Sequence, residues 1–301
     1  MEQKKTIYIP HRLPISYERS NYTISEVKAH FNTIMDSDYT TQNIAVILAG
    51  GIGARIGCRV PKQLLPLQDG KSVLEHAVDA FEQSPHIDEV CIVMHPDYIM
   101  HAEQMLLANA WQKVRHIIPG GKERWESSVN AIRAYTQASP KSSPKGKDFN
   151  SEEIRPSLQG GAGGRLVDTG VCILLHDAAR PFVSQEIIAR VCEALEEHEA
   201  VTVAIPSTDT VYEMVDGRVA RIPQRSTIMR AQTPQAFRLE LIAEAYTKAL
   251  GVDICDIQAC SACHLPATDD CGIVHEYMPE VSIFIVEGEE QNKKITFKED
   301  I

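Results

Sequence analysis

An apolar run, Ile44-Ala45-Val46-Ile47-Leu48, breaks off into Ala49-Gly50-Gly51-Ile52-Gly53-Ala54-Arg55-Ile56-Gly57, with Pro61-Lys62-Gln63 a few residues later. A run this short and this apolar reads as a strand buried on both faces, the kind found in a parallel sheet covered by helices. Glycines at its end let backbone N–H groups approach phosphate oxygens, and Arg55 and Lys62 supply the cations that a triphosphate needs. The glycines miss the G-x-G-x-x-G spacing of a dinucleotide site, and the segment lacks the G-x-x-x-x-G-K-[ST] arrangement of a P-loop. A glycine turn with solvated charges is the plainer reading of the segment taken alone.

Strand then helix recurs along the chain. Ser72-x-x-Glu75 forms a capping box ahead of Val73, Ala77, Val78 and Phe81, which share a helical face, and residues 89–94 read as the next strand. A helix near 97–108, a strand near 114–118 and a helix near 123–135 follow. Next come a strand at 171–175, a helix capped by Ser184 that carries Ile187, Val191 and Leu195, and a strand at 200–205. This alternation predicts a mostly parallel sheet with helices on both faces. Segments 210–215 and 218–222 flank Asp216-Gly217, which supplies the positive φ angles of a type I′ turn, so they predict a hairpin. A projecting arm that packs on a second subunit would explain this departure from the alternation.

The 301 residues suffice for one sizeable α/β domain with attachments. Residues 1–43 read as an N-terminal extension, in which Thr23-x-x-Glu26 caps a short amphipathic helix carrying Val27 and Phe31. Residues 137–168 are rich in Ser, Pro, Gly and charge and read as a surface insertion. The balance of 30 Lys and Arg against 41 Asp and Glu gives a net charge of -11, which repels nucleic acid while leaving room for a few cations around a small anion. No stretch approaches the roughly 20 apolar residues that span a bilayer, and the first residues lack the apolar core of a signal peptide. The sequence therefore predicts a cytoplasmic protein whose eight cysteines are reduced thiols.

Seven blocks stand in order between residues 44 and 301: AGGIGARIG with PKQ, PGGKERWESSV, LHDAARPFV, PSTDTV, RAQTPQAF, ATDD and VEGEEQNKKIT. In these blocks the chain resembles the cytidylyltransferases that act on 2-C-methyl-D-erythritol 4-phosphate in non-mevalonate isoprenoid synthesis, and their relatives that act on ribitol 5-phosphate. The resemblance implies the Rossmann-like α/β fold of nucleotide-diphospho-sugar transferases, with a projecting β-hairpin arm that makes a homodimer. It implies transfer of CMP from CTP to a polyol phosphate, with release of pyrophosphate. Ala178-Ala179, Ser127-Ser128-Val129 and Thr268-Asp269-Asp270 lean toward methylerythritol phosphate as acceptor, whereas Gly50-Gly51 occurs readily in the ribitol relatives.

Residue by residue, the resemblance implies that Arg55, Lys62 and Lys294 grip the triphosphate and stabilise charge at the α-phosphorus. Ala49, Gly50, Gly51, Gly53, Gly120, Gly121 and Ser127 would hold the nucleotide, largely through backbone groups; a turn and helix cap is the plain alternative for Gly120-Gly121. Asp177 would touch the ribose, the acceptor or a Mg²⁺ shell, or else form a buried pair with Arg180, and His176 is read as structural. Thr210, Arg225 and Thr268 would hold the acceptor, with Thr210 and Arg225 reaching a neighbouring subunit's site through the 210–225 arm. The implied cofactor is Mg²⁺ or another divalent cation held mainly by the substrate's phosphates. A phosphate monoester has a second pKa near ~6, so its oxygen is already anionic at neutral pH and needs no side-chain base.

Cys255, Cys260, Cys263-His264 and Cys271 read first as ordinary reduced thiols; structural zinc and a c-type haem attachment are the alternatives. The resemblance strains at the extension, at the insertion, and at Ile301, where the family continues into a final helix. The extension is expected to supply that helix through Val27 and Phe31. Two further functions stand beside the enzyme: a noncatalytic CTP-binding protein, against which the retention of Arg55, Lys62, Asp177, Arg225 and Lys294 weighs, and an NAD-dependent oxidoreductase, which needs an acidic residue at the end of the second strand.

Overall fold

A computed structural model describes residues 43–51, 60–138, 170–256, 265, 267–296 and 300. Along the chain run β1 (Asn43–Ala49), α1 (Val73–Glu82), β2 (Glu89–Met94), α2 (Ile99–Asn109), β3 (Val114–Pro119), α3 (Arg124–Ala138), β4 (Cys172–Asp177) and α4 (Gln185–Glu197). After these come β5 (Ala200–Pro206), β6 (Glu213–Val215), β7 (Arg218–Arg221), β8 (Met229–Arg238), α5 (Leu239–Leu250), α6 (Asp270–Tyr277) and β9 (Ile283–Glu287). Residues 1–42, which hold the capping box of the extension, residues 52–59, and residues 139–169, which hold all but the first two positions of the 137–168 insertion, lie outside the described residues, as do Cys260, Cys263 and His264.

β1 shows why the sequence takes this form. Its alternate residues Ala45, Ile47 and Ala49 face one buried cluster with Leu74, Phe81, Ile187 and Val191, from α1 and α4. Ile44, Val46 and Leu48 face the other, with Trp125, Ile132, Ile242, Tyr246 and Ile273, from α3, α5 and α6. A strand apolar at every position thus has helices on both sides, because successive side chains point to opposite faces. The predicted capping box closes α1: Ser72 accepts from the Glu75 N–H while the Glu75 carboxylate accepts from the Ser72 N–H. Ser184 accepts from the Ile187 N–H and starts α4.

One sheet joins seven strands in the order β3-β2-β1-β4-β8-β5-β9. β8 runs antiparallel to its neighbours β4 and β5, and the other pairings are parallel. The sheet is therefore mostly parallel, as the alternation predicts. Periodicity did not reveal β8, because MRAQTPQAFR carries Gln232, Thr233 and Gln235 where a buried strand normally carries apolar side chains. β6 and β7 form a separate two-stranded hairpin. Its turn is the predicted one, with Asp216 at φ 51° and Gly217 at φ 73°. Tyr212, Met214, Val215, Val219 and Ile222 leave the hairpin largely exposed.

Candidate functional site

The carboxyl ends of β1, β3 and β4 open onto a cleft of ≈ 440 Å³, the position at which parallel sheets bind ligands. Its first wall is two glycine turns in close approach. A Cβ on Gly50 would lie 2.8 Å from Ser127 Oγ, and one on Gly120 would lie 3.0 Å from both Gly50 Cα and Ser127 Oγ. Only bare backbone fits there. The Gly120 N–H donates to the Met94 carbonyl at 2.8 Å and the Gly121 N–H to Ser127 Oγ at 3.1 Å, so the turn after β3 is fastened to both β2 and the start of α3. From behind, buried Gln63 donates through Nε2 to the carbonyls of Ala49 and Gly51.

The second wall is charged. Asp177 ends β4, and its carboxylate takes Lys294 Nζ on Oδ2 at 2.7 Å and Arg124 Nε on Oδ1 at 3.1 Å. Arg124 Nη1 donates onward to Asp270 Oδ2 at 2.6 Å, and the Tyr246 hydroxyl donates to Asp270 Oδ1 at 2.7 Å. Burial alone would raise the Asp177 pKa, but the Arg124 and Lys294 cations beside it hold it well below the usual carboxylate range. Burial also opposes the Arg124 charge, yet Asp270 and Asp177 together raise its pKa. Burial and the adjacent Asp270 push the Tyr246 phenol up.

Residues 292–296 deliver Lys294. Asn292 Nδ2 donates to Gln232 Oε1 at 3.1 Å and to the Thr233 carbonyl at 2.9 Å, which fastens the segment to β8. The Ile295 N–H donates to the Ala179 carbonyl at 2.8 Å, and Lys62 Nζ donates to the Ile295 carbonyl at 2.7 Å. The polar side chains of β8 thus place the third wall of the cleft.

Of the expected site residues, Lys62, Gly50, Gly51, Gly121, Ser127, Asp177 and Lys294 line this one cleft. Ala49 and Gly120 stand directly behind it. Arg55 and Gly53 lie outside the described residues. Thr210, Arg225 and Thr268 are exposed and do not line the cleft. The buried pair weighed for Asp177 has a different partner: Arg180 donates instead to the carbonyls of Asn292 and Ala231, and Arg124 takes its place. His176 is structural as read, packed on the Phe81 ring and bridging the Arg180 carbonyl and the Thr233 hydroxyl. Arg124 lies inside the block PGGKERWESSV and is not among the expected site residues. A cation three residues past Gly-Gly, at the head of a helix aimed at an anion site, was the available signal.

The IspD family model, described as 2-C-methyl-D-erythritol 4-phosphate cytidylyltransferase, matches residues 43–141 and 164–301. A protein of that description from Thermobifida fusca (strain YX) is 38% identical over 262 residues, spanning 85% of this chain and 89% of its own. The bifunctional ribulose 5-phosphate reductase/CDP-ribitol pyrophosphorylase Bcs1 of Haemophilus influenzae is 33% identical over 86% of this chain and 47% of its own. A solved 4-diphosphocytidyl-2C-methyl-D-erythritol synthase from Anaerococcus prevotii DSM 20548 superposes with a TM-score of 0.63 at 26% identity, covering 86% of this chain and 94% of that one.

Proposed function

The chain belongs to the 2-C-methyl-D-erythritol 4-phosphate cytidylyltransferase family, and on that premise we propose that it transfers CMP from CTP to the phosphate of 2-C-methyl-D-erythritol 4-phosphate, a step of non-mevalonate isoprenoid synthesis. The observation that carries this reading is the convergence of Lys62, Lys294 and the paired glycine turns on one cleft. Backbone at Gly50, Gly51 and Gly121, with Ser127, holds the nucleotide. Lys62 and Lys294, joined by Arg55, hold the triphosphate. The acceptor's phosphate oxygen attacks the α-phosphorus, a new P–O bond forms, and the bond to the β-phosphate's bridging oxygen breaks, so that pyrophosphate leaves. The work left to the protein is positioning and charge stabilisation.

A divalent cation, when bound, neutralises phosphate charge. Among the described residues no three His, Cys, Asp or Glu side chains gather as a ready-made metal site. The cation of this reading is a Mg²⁺ that arrives on the triphosphate and is held mainly by it. Asp177 takes the acceptor's hydroxyl groups, and Thr268, with Thr210 and Arg225 of a second copy, completes the acceptor site. The exposed apolar side chains of the hairpin support a homodimer built through 210–225. We read 44–301 as the catalytic domain, 137–168 as an insertion and 1–43 as an extension. No helix among the described residues is long and apolar enough to cross a membrane.

Ribitol 5-phosphate as acceptor is the second reading, favoured by the similarity to the Haemophilus influenzae protein. Pyrophosphate release with CTP and Mg²⁺, measured with each acceptor in turn, decides between them. Turnover with methylerythritol phosphate alone is expected, and Lys62→Ala or Lys294→Ala should lower kcat by about 10²- to 10³-fold, the loss of one transition-state donor. Near-normal turnover in both variants would overturn the assignment, and CTP binding without release on either acceptor would favour a noncatalytic protein.

A further inference from the structure

Asp270 and Tyr246 lie behind the cleft, and neither lines it. Both are fully buried, Asp270 in the first turn of α6 and Tyr246 within α5. The Asp270 carboxylate faces inward with each oxygen committed, Oδ1 to the Tyr246 hydroxyl and Oδ2 to Arg124 Nη1. Its own backbone N–H is fixed by Gln235 Oε1 at 3.1 Å. A guanidinium on a long side chain has many rotamers to lose, and it stays in one place only where partners at two points hold it. Arg124 has those two points, Asp270 behind and Asp177 in front. Its third nitrogen, Nη2, is buried and has no hydrogen-bond partner among the described residues. A buried donor left unspent costs stability, so the two carboxylates rather than general solvation of the guanidinium set its place.

The consequence concerns Asp177. One of its two cations, Lys294, is also a group that the proposed reaction assigns to the triphosphate. Arg124 is then the cation that still orients the Asp177 carboxylate toward the acceptor. We propose that Asp270 and Tyr246 are positioning residues for the acceptor polyol phosphate: they lock Arg124 against Asp177, so that the carboxylate keeps its orientation after Lys294 leaves. This rests on the cytidylyltransferase reading.

The test compares Tyr246→Phe, which removes a single hydroxyl, with Asp270→Asn, which removes the charge at nearly constant shape, in the full chain. In both, the Kd for CTP should stay within about two-fold of the wild type, since the glycine turns are untouched. The acceptor KM should rise, by about ten-fold in Asp270→Asn for the loss of one charge-assisted hydrogen bond and by a smaller factor in Tyr246→Phe. A separate readout needs no turnover: the Arg124 side-chain Nε–H resonance, identified by its loss in Arg124→Lys, should exchange with water faster in both variants. An unchanged acceptor KM together with unchanged Arg124 exchange would overturn the proposal. So would equal losses of CTP affinity and acceptor KM, which mark a general loosening of the fold. A wild type that turns over neither acceptor sinks the functional reading alone, and the Arg124 resonance still decides the positioning claim.

Discussion

His176 sits one residue before Asp177, inside the core, against the Phe81 ring. Burial pushes its pKa down from 6.5 to about 4. The unfolded chain therefore takes up a proton on this residue, near pH 6.5, that the folded chain refuses until about pH 4. Stability from the neutral ring is fully present above pH 6.5 and is lost as the pH falls toward 4, by about 3 kcal/mol across the window. Denaturant unfolding measured at pH 7 and pH 4.5 should show that fall, and His176→Gln should flatten it. An equal slope in both proteins would remove His176 as the cause. At this scale the sequence was legible where a motif fixes a residue's address: Lys62, Asp177 and Lys294 line one cleft. The ion-pair partner was not legible. Arg180 is three residues from Asp177 and Arg124 is 53 away, and only the packing of α3 on β1, the strand beside β4, makes the distant one the neighbour.

Elements were readable to the extent that their burial is apolar. β1, β2 and α1 stand where hydrophobic period and caps put them. β8 escaped because its Gln and Thr side chains are spent on the cleft's supports, Gln232 on Asn292 and Gln235 on Asp269 and Asp270. The glycine turns after β1 and β3 behave as one element, since each occupies the space a side chain on the other would need. Gly120→Ala places a methyl group 3.0 Å from the Gly50 backbone, which cannot swing aside as a flexible side chain does. Overpacking of this kind costs about 1–3 kcal/mol, and here it falls on the turns proposed to frame the nucleotide. CTP affinity measured by calorimetry should drop about ten-fold or more. Binding at the wild-type level would mean that the turns part without consequence.

The whole molecule carries an unbalanced surface: a mostly parallel sheet whose central strands are buried on both faces, and a hairpin that is 71% exposed at Met214 and 60% at Ile222. Met214 and Val219 pair across the hairpin and share a face. Asp at both positions should convert the proposed dimer to a monomer in light scattering, with thermal stability of the body outside the hairpin unchanged and most turnover lost. A monomer of full activity would separate the arm from the site. A dimer that survives the change would place the contact elsewhere.

The bond from Lys62 to the Ile295 carbonyl spans 233 residues. At roughly 5–20 residues per second on the ribosome, about 10–50 s pass between the synthesis of its two ends. β1, α1 and β2 can assemble on the nascent chain while the wall that carries Lys294 is still unmade. The cleft is therefore completed late in synthesis, and a chain stalled or clipped before residue 294 lacks one of the lysines that the proposed reaction assigns to the triphosphate.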